Sequence, residues 1–401
     1  MDSSANFMVE DIPPDRVSMR IAVVTETWPP EINGVALTLS RLVQGLSARH
    51  HSIQLIRTRQ DRQDSPLEHA SWSEMLFTSF PIPKYPQLRM GLPSKKALLR
   101  AWTLKRPDLV HIATEGPLGW SALQAARKLR IAVTSDFRTN FHRYSKHYGV
   151  GWLSKPIVAY LRKFHNMTAV TMVPTHSLKN ELKALGFENL KVVARGVDTT
   201  LFHPDKRDPL LRQEWGAEDD SLILLSAGRL AAEKNLELVV QTFEAMKSSG
   251  TKLKLVIAGD GPYASTLREL CPDAIFMGMC DQKKLARIYA SSDVFIFPSL
   301  TETFGNVTLE ALASGTPVLA FDCAAAAELL LHKVNGWLVD GESGADFVKL
   351  ACALTMDVPA VMAMRETTRL SAQSLDWNVI AAQVEDVFLR TFAESHRRHS
   401  M

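Results

Sequence analysis

The sequence lacks the glycine-rich patterns that most often mark a nucleotide-binding protein. Neither GxGxxG nor a P-loop occurs in its 401 residues, which argues against a dinucleotide-dependent dehydrogenase and a P-loop NTPase. No Asp-x-Asp pair follows an apolar strand, and His111, His142, His147 and His165 are scattered along the chain. We therefore expect neither a metal held against a diphosphate nor a zinc site, and no cofactor.

Cysteines, long apolar runs and excess charge are also scarce. The four cysteines have no metal-ligand spacing and are typical of reduced cytosolic thiols. The chain has no run of about 18 uninterrupted apolar residues, so no membrane span is predicted. A formal net charge of +3 gives no indication of nucleic-acid binding. Residues 1–18 lack the basic start and apolar core of a signal peptide, and we expect them to be a disordered leader.

Short apolar runs alternate with amphipathic helical patterns along most of the chain. Strands are predicted at residues 19–25, 51–57, 108–112 and 131–135, with helices between them, and a similar set covers residues 222–339. Residues 58–80 are predicted to be irregular. Such alternation is typical of parallel βαβ units, and 401 residues exceed one ordinary core. We predict an α/β protein of two doubly wound domains, with a last helix over residues 376–392.

Two glutamates stand out in residues 301–317, TETFGNVTLEALASGTP. Glu302 follows a predicted buried strand at residues 293–299, and Glu310 lies in the next helix. The carboxyl end of such a strand is where open α/β sheets bind ligands. The backbone N–H groups of residues 305–307 suit a phosphate or a sugar oxygen. Glu310 has two interpretations, a vicinal-diol acceptor or a residue that only satisfies the helix dipole.

Other predicted strands deliver glycines and cations to the same sheet edge. Gly228 and Arg229 follow one strand, Gly259 follows the next, and Lys234 begins a helix. Glycines let a backbone approach a diphosphate, and the two cations neutralise it. The alternative is that Arg229 and Lys234 are solvated charges at a helix start. In the first half, Asn33-Gly34 forms a turn before a helix, which also suits an anion.

Taken together, these motifs resemble family 4 glycosyltransferases of the GT-B type. The resemblance covers residues 19–395 and rests on E-x7-E (Glu302, Glu310), GRLAAEKN, IAGDGP, RGVDTTLF and VTETWPPEINGV. It implies two Rossmann-like domains that face a cleft. Residues 19–197 with 376–395 would bind the acceptor, and residues 198–375 would bind a nucleotide-sugar. The last helix would cross back to the N-terminal domain.

The resemblance also implies roles for particular residues. Arg229, Lys234 and Glu302 would be catalytic, with Glu302 on the donor sugar and Glu310 on the ribose. The other implied donor contacts are Gly34, Gly228, Gly259, Phe304, Gly305, Asn306 and Val307. The family retains anomeric configuration. The sequence offers cations for the leaving group rather than a carboxylate nucleophile, so we expect a same-face, metal-independent mechanism.

The segment SDFRTNFHRYSKHYG is most similar to bacterial mannosyl-, glycolipid- and sulfoquinovosyl-transferring members. This favours GDP-mannose slightly as donor, with UDP-hexoses next, and a lipid or glycan acceptor. Many relatives carry a histidine where this chain has Arg138 in FRTNF. The role of that histidine is therefore open. Asn33, Arg138, Asn140 and His142 are candidates for the cleft or acceptor site.

Residues 138–163 interleave aromatic and basic side chains. They predict either an ordinary helix pair or a surface for anionic lipid, with Trp152, Tyr160 and Phe164 at the interface. Five cations would extend this surface: Lys95, Lys96, Arg100, Lys105 and Arg106. The lipid interpretation predicts a cytoplasmic enzyme peripheral on the inner face of the cytoplasmic membrane.

Two other functions share this pattern. One is a GT-B epimerase or hydrolase acting on sugar nucleotides, and the other is a non-catalytic nucleotide-sugar-binding subunit. A degenerate subunit is expected to lose one of Arg229, Lys234, Glu302 or Glu310. All four are present, which favours an active transferase.

Overall fold

The protein contains two parallel sheets, each with helices between its strands. The computed structural model describes residues 17–31, 34–61, 63–66, 71–82, 85–138, 154–218, 220–300 and 304–400. The predicted α/β class is confirmed.

The strands follow the chain in order. They are β1 (Arg20–Thr25), β2 (Ser52–Thr58), β3 (Trp72–Phe77), β4 (Ser79–Ile82), β5 (Tyr85–Gly91), β6 (Leu109–Ile112), β7 (Ala132–Asp136), β8 (Val170–Val173), β9 (Leu190–Val192), β10 (Leu222–Ala227), β11 (Leu253–Ala258), β12 (Ile275–Gly278), β13 (Val294–Phe297), β14 (Val318–Phe321) and β15 (Gly336–Val339). The strand orders of the two parallel sheets are β3-β2-β1-β6-β7-β8-β9 and β12-β11-β10-β13-β14-β15, and β4 and β5 form a separate antiparallel pair.

The helices are α1 (Gly34–Ala48), α2 (Lys95–Leu104), α3 (Pro117–Lys128), α4 (Ser154–Asn166), α5 (His176–Ala184), α6 (Pro209–Glu214), α7 (Leu236–Lys247), α8 (Ala264–Leu270), α9 (Gln282–Ser291), α10 (Asn306–Ala313), α11 (Ala324–Leu329), α12 (Gly344–Leu354), α13 (Val358–Ala363), α14 (Arg365–Ala372) and α15 (Trp377–Ser400). Single 3-10 turns occur at Pro204–Lys206, Ala232–Lys234 and Gln373–Leu375.

The second sheet is buried on both faces. Along β10, Ile223 and Leu225 pack in one apolar cluster, whereas Leu222 and Leu224 pack in another. Successive side chains of a strand point to opposite faces, so a fully apolar strand is expected where helices cover both sides. The apolar run at residues 222–227 is therefore typical of a strand that is buried on both faces.

The prediction of an irregular segment at residues 58–80 is wrong. Strand β3 pairs with β2 in parallel, with Ile53 opposite Trp72, and β4 pairs with β5 in an antiparallel hairpin. Strand β3 lies at the edge of its sheet, and its side chains are half-buried or exposed. Its apolar pattern is therefore too weak to distinguish a strand from a loop.

The chain forms two compact units. Unit 1 comprises the residues up to Asp136, residues 167–170 and those from Glu385 onward, and unit 2 comprises residues 137–166 and 171–384. Within unit 1, the α15 carboxylate of Glu385 accepts hydrogen bonds from Arg49 and His51. These contacts fix the second half of α15, which extends to Ser400, beyond the predicted end at residue 392. The predicted domain limits remain a prediction.

One predicted lipid-facing aromatic residue is buried. Phe164 in α4 is 0% exposed, in contact with the rings of Tyr160 and His165. The hydrophobic face of an amphipathic helix covers the core, so Phe164 is not at an interface with lipid. Tyr160 is 40% exposed. Trp152 lies outside the described residues.

Among the described residues, no single helix is both long enough and apolar enough to cross a bilayer. The consecutive segments Gly344–Leu354 and Val358–Leu375 meet the length and composition criteria only together, and they are bent by 92°.

Candidate functional site

Two glycine turns touch at the carboxyl ends of β10 and β11. Gly228 and Gly259 have positive φ angles of 137° and 129°, which favour glycine. A Cβ on Gly259 would overlap the Gly228 carbonyl oxygen, and the Gly228 N–H donates to Ala258 O at 2.9 Å. Any side chain at Gly259 would therefore push apart the turns that present Arg229, whose side chain is exposed.

Lys234 lies over the end of the neighbouring strand β13. Its Nζ is 5.9 Å from the centroid of the Phe297 ring. The next residue, Asn235, is left-handed with φ 54°, and its Nδ2 donates to Pro298 O at 3.3 Å. This hydrogen bond connects the start of α7 to the segment that leads into Glu302. The Lys234 cation thus lies at the same sheet edge as the glycine turns.

Helix α10 begins beside the first glycine turn. Gly305 precedes it with φ 88°, a left-handed conformation that glycine adopts without strain. The Val307 Cγ1 is the nearest atom to a Cβ built on Gly228, at 4.0 Å. Phe304 is buried and holds the helix start against the core. The structure therefore brings Gly228, Gly259, Lys234 and the α10 start to one sheet edge.

Glu310 is half-buried in α10 beside Tyr289. Burial raises the pKa of the Glu310 carboxyl to about 7, and interaction with the Tyr289 hydroxyl offsets part of this shift. Glu310 is the fifth residue of α10, so it lies beyond the first turn, where a carboxylate best stabilises the helix dipole. This position argues against the helix-dipole interpretation, and the binding of a diol by Glu310 remains a prediction.

Several predicted site residues lie outside the described part of the chain. They are Asn33, Asn140, His142 and Glu302. Their roles remain predictions.

Two further candidates lie at strand or helix ends. Gly34 is the first residue of α1, and Arg138 is half-buried two residues after β7. Both positions follow the carboxyl ends of parallel strands, where ligands bind in such sheets. Their contacts with a ligand remain predictions.

The sequence did not indicate Phe297 or Tyr289 as neighbours of the site. Phe297 ends an apolar strand, so its contact with Lys234 has no separate signal. Tyr289 is fully buried near the end of α9, and its interaction with Glu310 depends on how α9 and α10 pack. Only tertiary structure identifies either residue.

No group of three or more His, Cys, Asp or Glu side chains within the described ranges is placed to hold a metal ion. The independence of metal remains a prediction.

Comparison with known proteins identifies the family. A model described as "Glycosyltransferase Family 4" matches residues 32–201, and one described as "Glycosyl transferases group 1" matches residues 221–357. A GDP-mannose-dependent alpha-mannosyltransferase of Corynebacterium glutamicum is 31% identical over 382 residues, which span 94% of this chain and 91% of that protein. The chain belongs to glycosyltransferase family 4. The predicted hexosyltransferase activity is thereby confirmed.

This family 4 member is similar to enzymes of lipid glycosylation as well. An alpha-monoglucosyldiacylglycerol synthase of Streptococcus pneumoniae is 31% identical over 338 residues, covering 81% of this chain and 76% of that protein. Sucrose-phosphate synthase from Thermosynechococcus elongatus has a TM-score of 0.74 at 18% identity, covering 94% of this chain and 100% of that one. The predicted GT-B fold is confirmed, and relatives of this kind use nucleotide-sugar donors.

Proposed function

We propose that this family 4 glycosyltransferase moves a hexose from a nucleotide-diphosphate sugar to a lipid or glycan acceptor with retention of configuration. GDP-mannose is slightly preferred as the donor, and UDP-hexoses come next. The observation that carries the proposal is the meeting of two glycine turns, Lys234 and the start of α10 at one sheet edge. The Corynebacterium and Streptococcus relatives support a mannosyl or glucosyl donor and a glycolipid acceptor.

The reaction needs charge stabilisation at the leaving group. The bond between the sugar C1 and the diphosphate oxygen breaks, and the diphosphate keeps the electron pair. The acceptor hydroxyl oxygen forms its bond to C1 on the same face, and its proton passes to a diphosphate oxygen. Arg229 and Lys234 stabilise the negative charge that grows on the diphosphate, where a fixed cation has most effect. These two side chains supply this charge without a metal.

The remaining side chains hold the donor. Glu302 accepts hydrogen bonds from the sugar hydroxyls, and Glu310 accepts two from the ribose diol. Backbone groups near Gly228, Gly259 and residues 304–307 contact the phosphates. Gly34 lies near the phosphates or the acceptor, and Asn33, Arg138, Asn140 and His142 contribute to the acceptor side.

The test is the release of nucleotide diphosphate from GDP-mannose and UDP-hexoses, with and without a diacylglycerol or glycolipid acceptor. We expect release that depends on acceptor and persists in EDTA. Lys234→Ala should lower kcat by about 10²- to 10³-fold, the usual effect of removing one group that stabilises transition-state charge. Lys247→Ala is the matched control, because Lys247 pairs with Asp273 on the surface of the same unit.

Three outcomes would contradict the proposal. If Lys234→Ala releases nucleotide diphosphate at the wild-type rate, Lys234 is not part of the catalytic site. Release that does not depend on acceptor would indicate a hydrolase or epimerase. Donor binding without any turnover would indicate a non-catalytic subunit.

The proposal places the enzyme at the inner face of the cytoplasmic membrane, where a lipid acceptor is available. We define the basic surface as α2, the end of α3 and the residues that flank them. Its cations are Lys95, Lys96, Arg100, Lys105, Arg106, Arg127, Lys128 and Arg130, and neither residues 92–107 nor residues 117–130 include an Asp or Glu. A cationic surface without acidic residues is attracted to anionic lipid.

Apolar side chains accompany these cations. Leu98 and Trp102 bury one face of α2, while Leu104 is 90% exposed and Leu92 is 43% exposed. Exposed leucines among cations are typical of surfaces that enter the boundary between headgroups and acyl chains. The α2 and α3 segments are linked because Lys95 Nζ donates to Gln124 Oε1 at 2.9 Å. These features support a lipid partner for the basic surface.

A further inference from the structure

Glu26 is a buried carboxylate at the carboxyl end of β1 in unit 1. It is 7% exposed, and no cation of the described residues forms an ion pair with it. Its Oε1 accepts from Leu118 N–H at 2.7 Å, and its Oε2 accepts from Gly91 N–H at 3.1 Å. Leu118 lies in the first turn of α3, so the helix dipole also favours a negative charge there.

The backbone of Glu26 is fixed as firmly as its side chain. Its N–H donates to Thr114 Oγ1 at 2.9 Å, and its carbonyl oxygen accepts from Thr58 Oγ1 at 2.9 Å. Thr58 ends β2, and Thr114 follows β6. One residue thus joins the ends of β1, β2 and β5, the segment after β6 and the start of α3.

The surrounding backbone is shaped to accept this carboxylate. A Cβ built on Gly116 would overlap Oε2 of Glu26, and a Cβ on Gly91 would lie 3.5 Å from Oε1. Moving Glu26 would leave a buried carboxylate and two backbone N–H groups without hydrogen bonds, which is unfavourable because buried polar groups need partners. These bonds therefore hold the start of the segment between β1 and α1 in one arrangement.

We infer that Glu26 is a positioning residue that holds the described start of the β1–α1 turn, residues 26–31, for the ligand. The turn continues from Glu26 through Thr27, whose Oγ1 donates to Glu31 Oε2 at 2.7 Å, and through Trp28, which is buried. A binding site on a turn needs such support if its backbone is to keep one geometry. The kinetic part of this inference rests on the proposed function, in which Gly34 lies near the phosphates or the acceptor.

The experiment compares Glu26→Gln and Glu26→Asp with the wild-type protein by amide hydrogen exchange and by kinetics. Gln keeps the shape but places an N–H₂ group against backbone donors, and Asp keeps the charge but is too short to reach them. We expect exchange in peptides covering residues 27–34 to be at least about tenfold faster, equivalent to about 1.4 kcal/mol. We expect kcat/KM to fall by a similar factor. If Glu26→Gln does not fold, the comparison is made with Glu26→Asp alone.

The control is Glu385→Gln, which weakens a different cluster of unit 1, near the opposite end of β1. Glu385 accepts from Arg49 Nε at 2.5 Å and from His51 Nε2 at 2.9 Å, and His51 Nδ1 accepts from the Met19 N–H at 3.1 Å. We expect this variant to melt at a lower temperature while exchange in residues 27–34 and kcat/KM stay within about twofold of wild type. Unchanged exchange in both Glu26 variants, or an equal kinetic loss in the control, would overturn the inference. A wild-type protein inactive on every donor would count only against the proposed function, since exchange decides the positioning role by itself.

Discussion

The protonation state of Glu310 should affect ligand binding and protein stability in opposite directions. Both effects should therefore depend on pH. Its pKa is raised from 4.5 to about 7 in the folded protein because burial disfavours the charge. The folded state therefore holds the proton more tightly than the unfolded chain. The associated stability is present below about pH 4.5 and is lost as pH rises through 7. A diol acceptor works best ionised, so donor binding should weaken below pH 7.

Glu310→Gln should separate these two effects. The amide resembles the protonated acid, so the variant avoids the cost of ionisation, which is at most ~3 kcal/mol for such a shift. We expect its melting temperature to exceed that of wild type at pH 8 and to match it at pH 4.5. Its KM for the donor should rise at pH 8. A difference in melting temperature that is the same at both pH values would contradict the assigned burial of the carboxylate.

The sequence predicts a site at Glu310, Arg229 and Lys234 because they follow predicted buried strands of one parallel sheet. Strand ends of such a sheet meet at one edge, so neighbours can be predicted before any contact is known. It did not identify Glu26, because that residue is recognised only by its bonds to Leu118 and Gly91. These partners lie 92 and 65 positions away along the chain.

Secondary structure elements could be predicted where burial is complete. Strands β10 (LILLSA) and β11 (LKLVIA) are rich in apolar residues and each is followed by glycine, so the sequence predicts both strands. Helix α6 was missed because Pro209–Glu214 is only six residues long, too short for a periodic pattern. Strands that are buried on both faces are therefore easier to predict from local sequence than half-exposed edge strands or helices of one or two turns.

Strand β13 begins at a charged cluster that the sequence does not show. Asp293 is fully buried and accepts from Arg207 and Arg212 at 2.8 and 2.9 Å. Arg365 donates to the carbonyls of Ala290 and Ser292 at the end of α9. Burial, followed by repulsion from Arg207, lowers the pKa of Arg365 to about 10. One carboxylate thus balances three guanidinium groups around the α9 end.

Asp293→Asn should destabilise unit 2 through this cluster. The change leaves Arg207, Arg212 and Arg365 close together without an anion, and breaking a buried pair costs about 3–5 kcal/mol. Urea unfolding monitored by the unit 2 tryptophans should show the loss as a lower midpoint. Arg287→Gln is the comparison, because Arg287 forms an exposed pair with Asp208. A midpoint shift no larger than that of Arg287→Gln would contradict the role of the cluster.

The chain has the confirmed GT-B fold, and its charges are distributed unevenly although its net charge is small. The value of +3 indicates no partner, yet the basic surface, which comprises α2, the end of α3 and their flanking residues, has eight cations without one carboxylate. From sequence, the surface for anionic lipid was predicted mainly at residues 138–163. The burial of Phe164 weakens this prediction, because Phe164 was expected to face the lipid. The high exposure of Leu104 favours the α2–α3 side.

Lys96→Glu combined with Arg100→Glu should release the protein from anionic vesicles. Each cation near an anionic surface contributes about 1 kcal/mol, so loss of two should lower the partition coefficient by at least about 30-fold. Lys206→Glu with Lys349→Glu makes the same charge change at exposed positions of unit 2 and should leave binding unchanged. Sedimentation with phosphatidylglycerol vesicles, and with phosphatidylcholine alone, measures both variants. Wild-type binding should weaken as salt screens the charges.

Two outcomes would contradict this prediction. If the wild-type protein does not bind the vesicles at any salt concentration, the proposed membrane association is wrong. If both double variants lose binding equally, net charge rather than the basic surface governs binding.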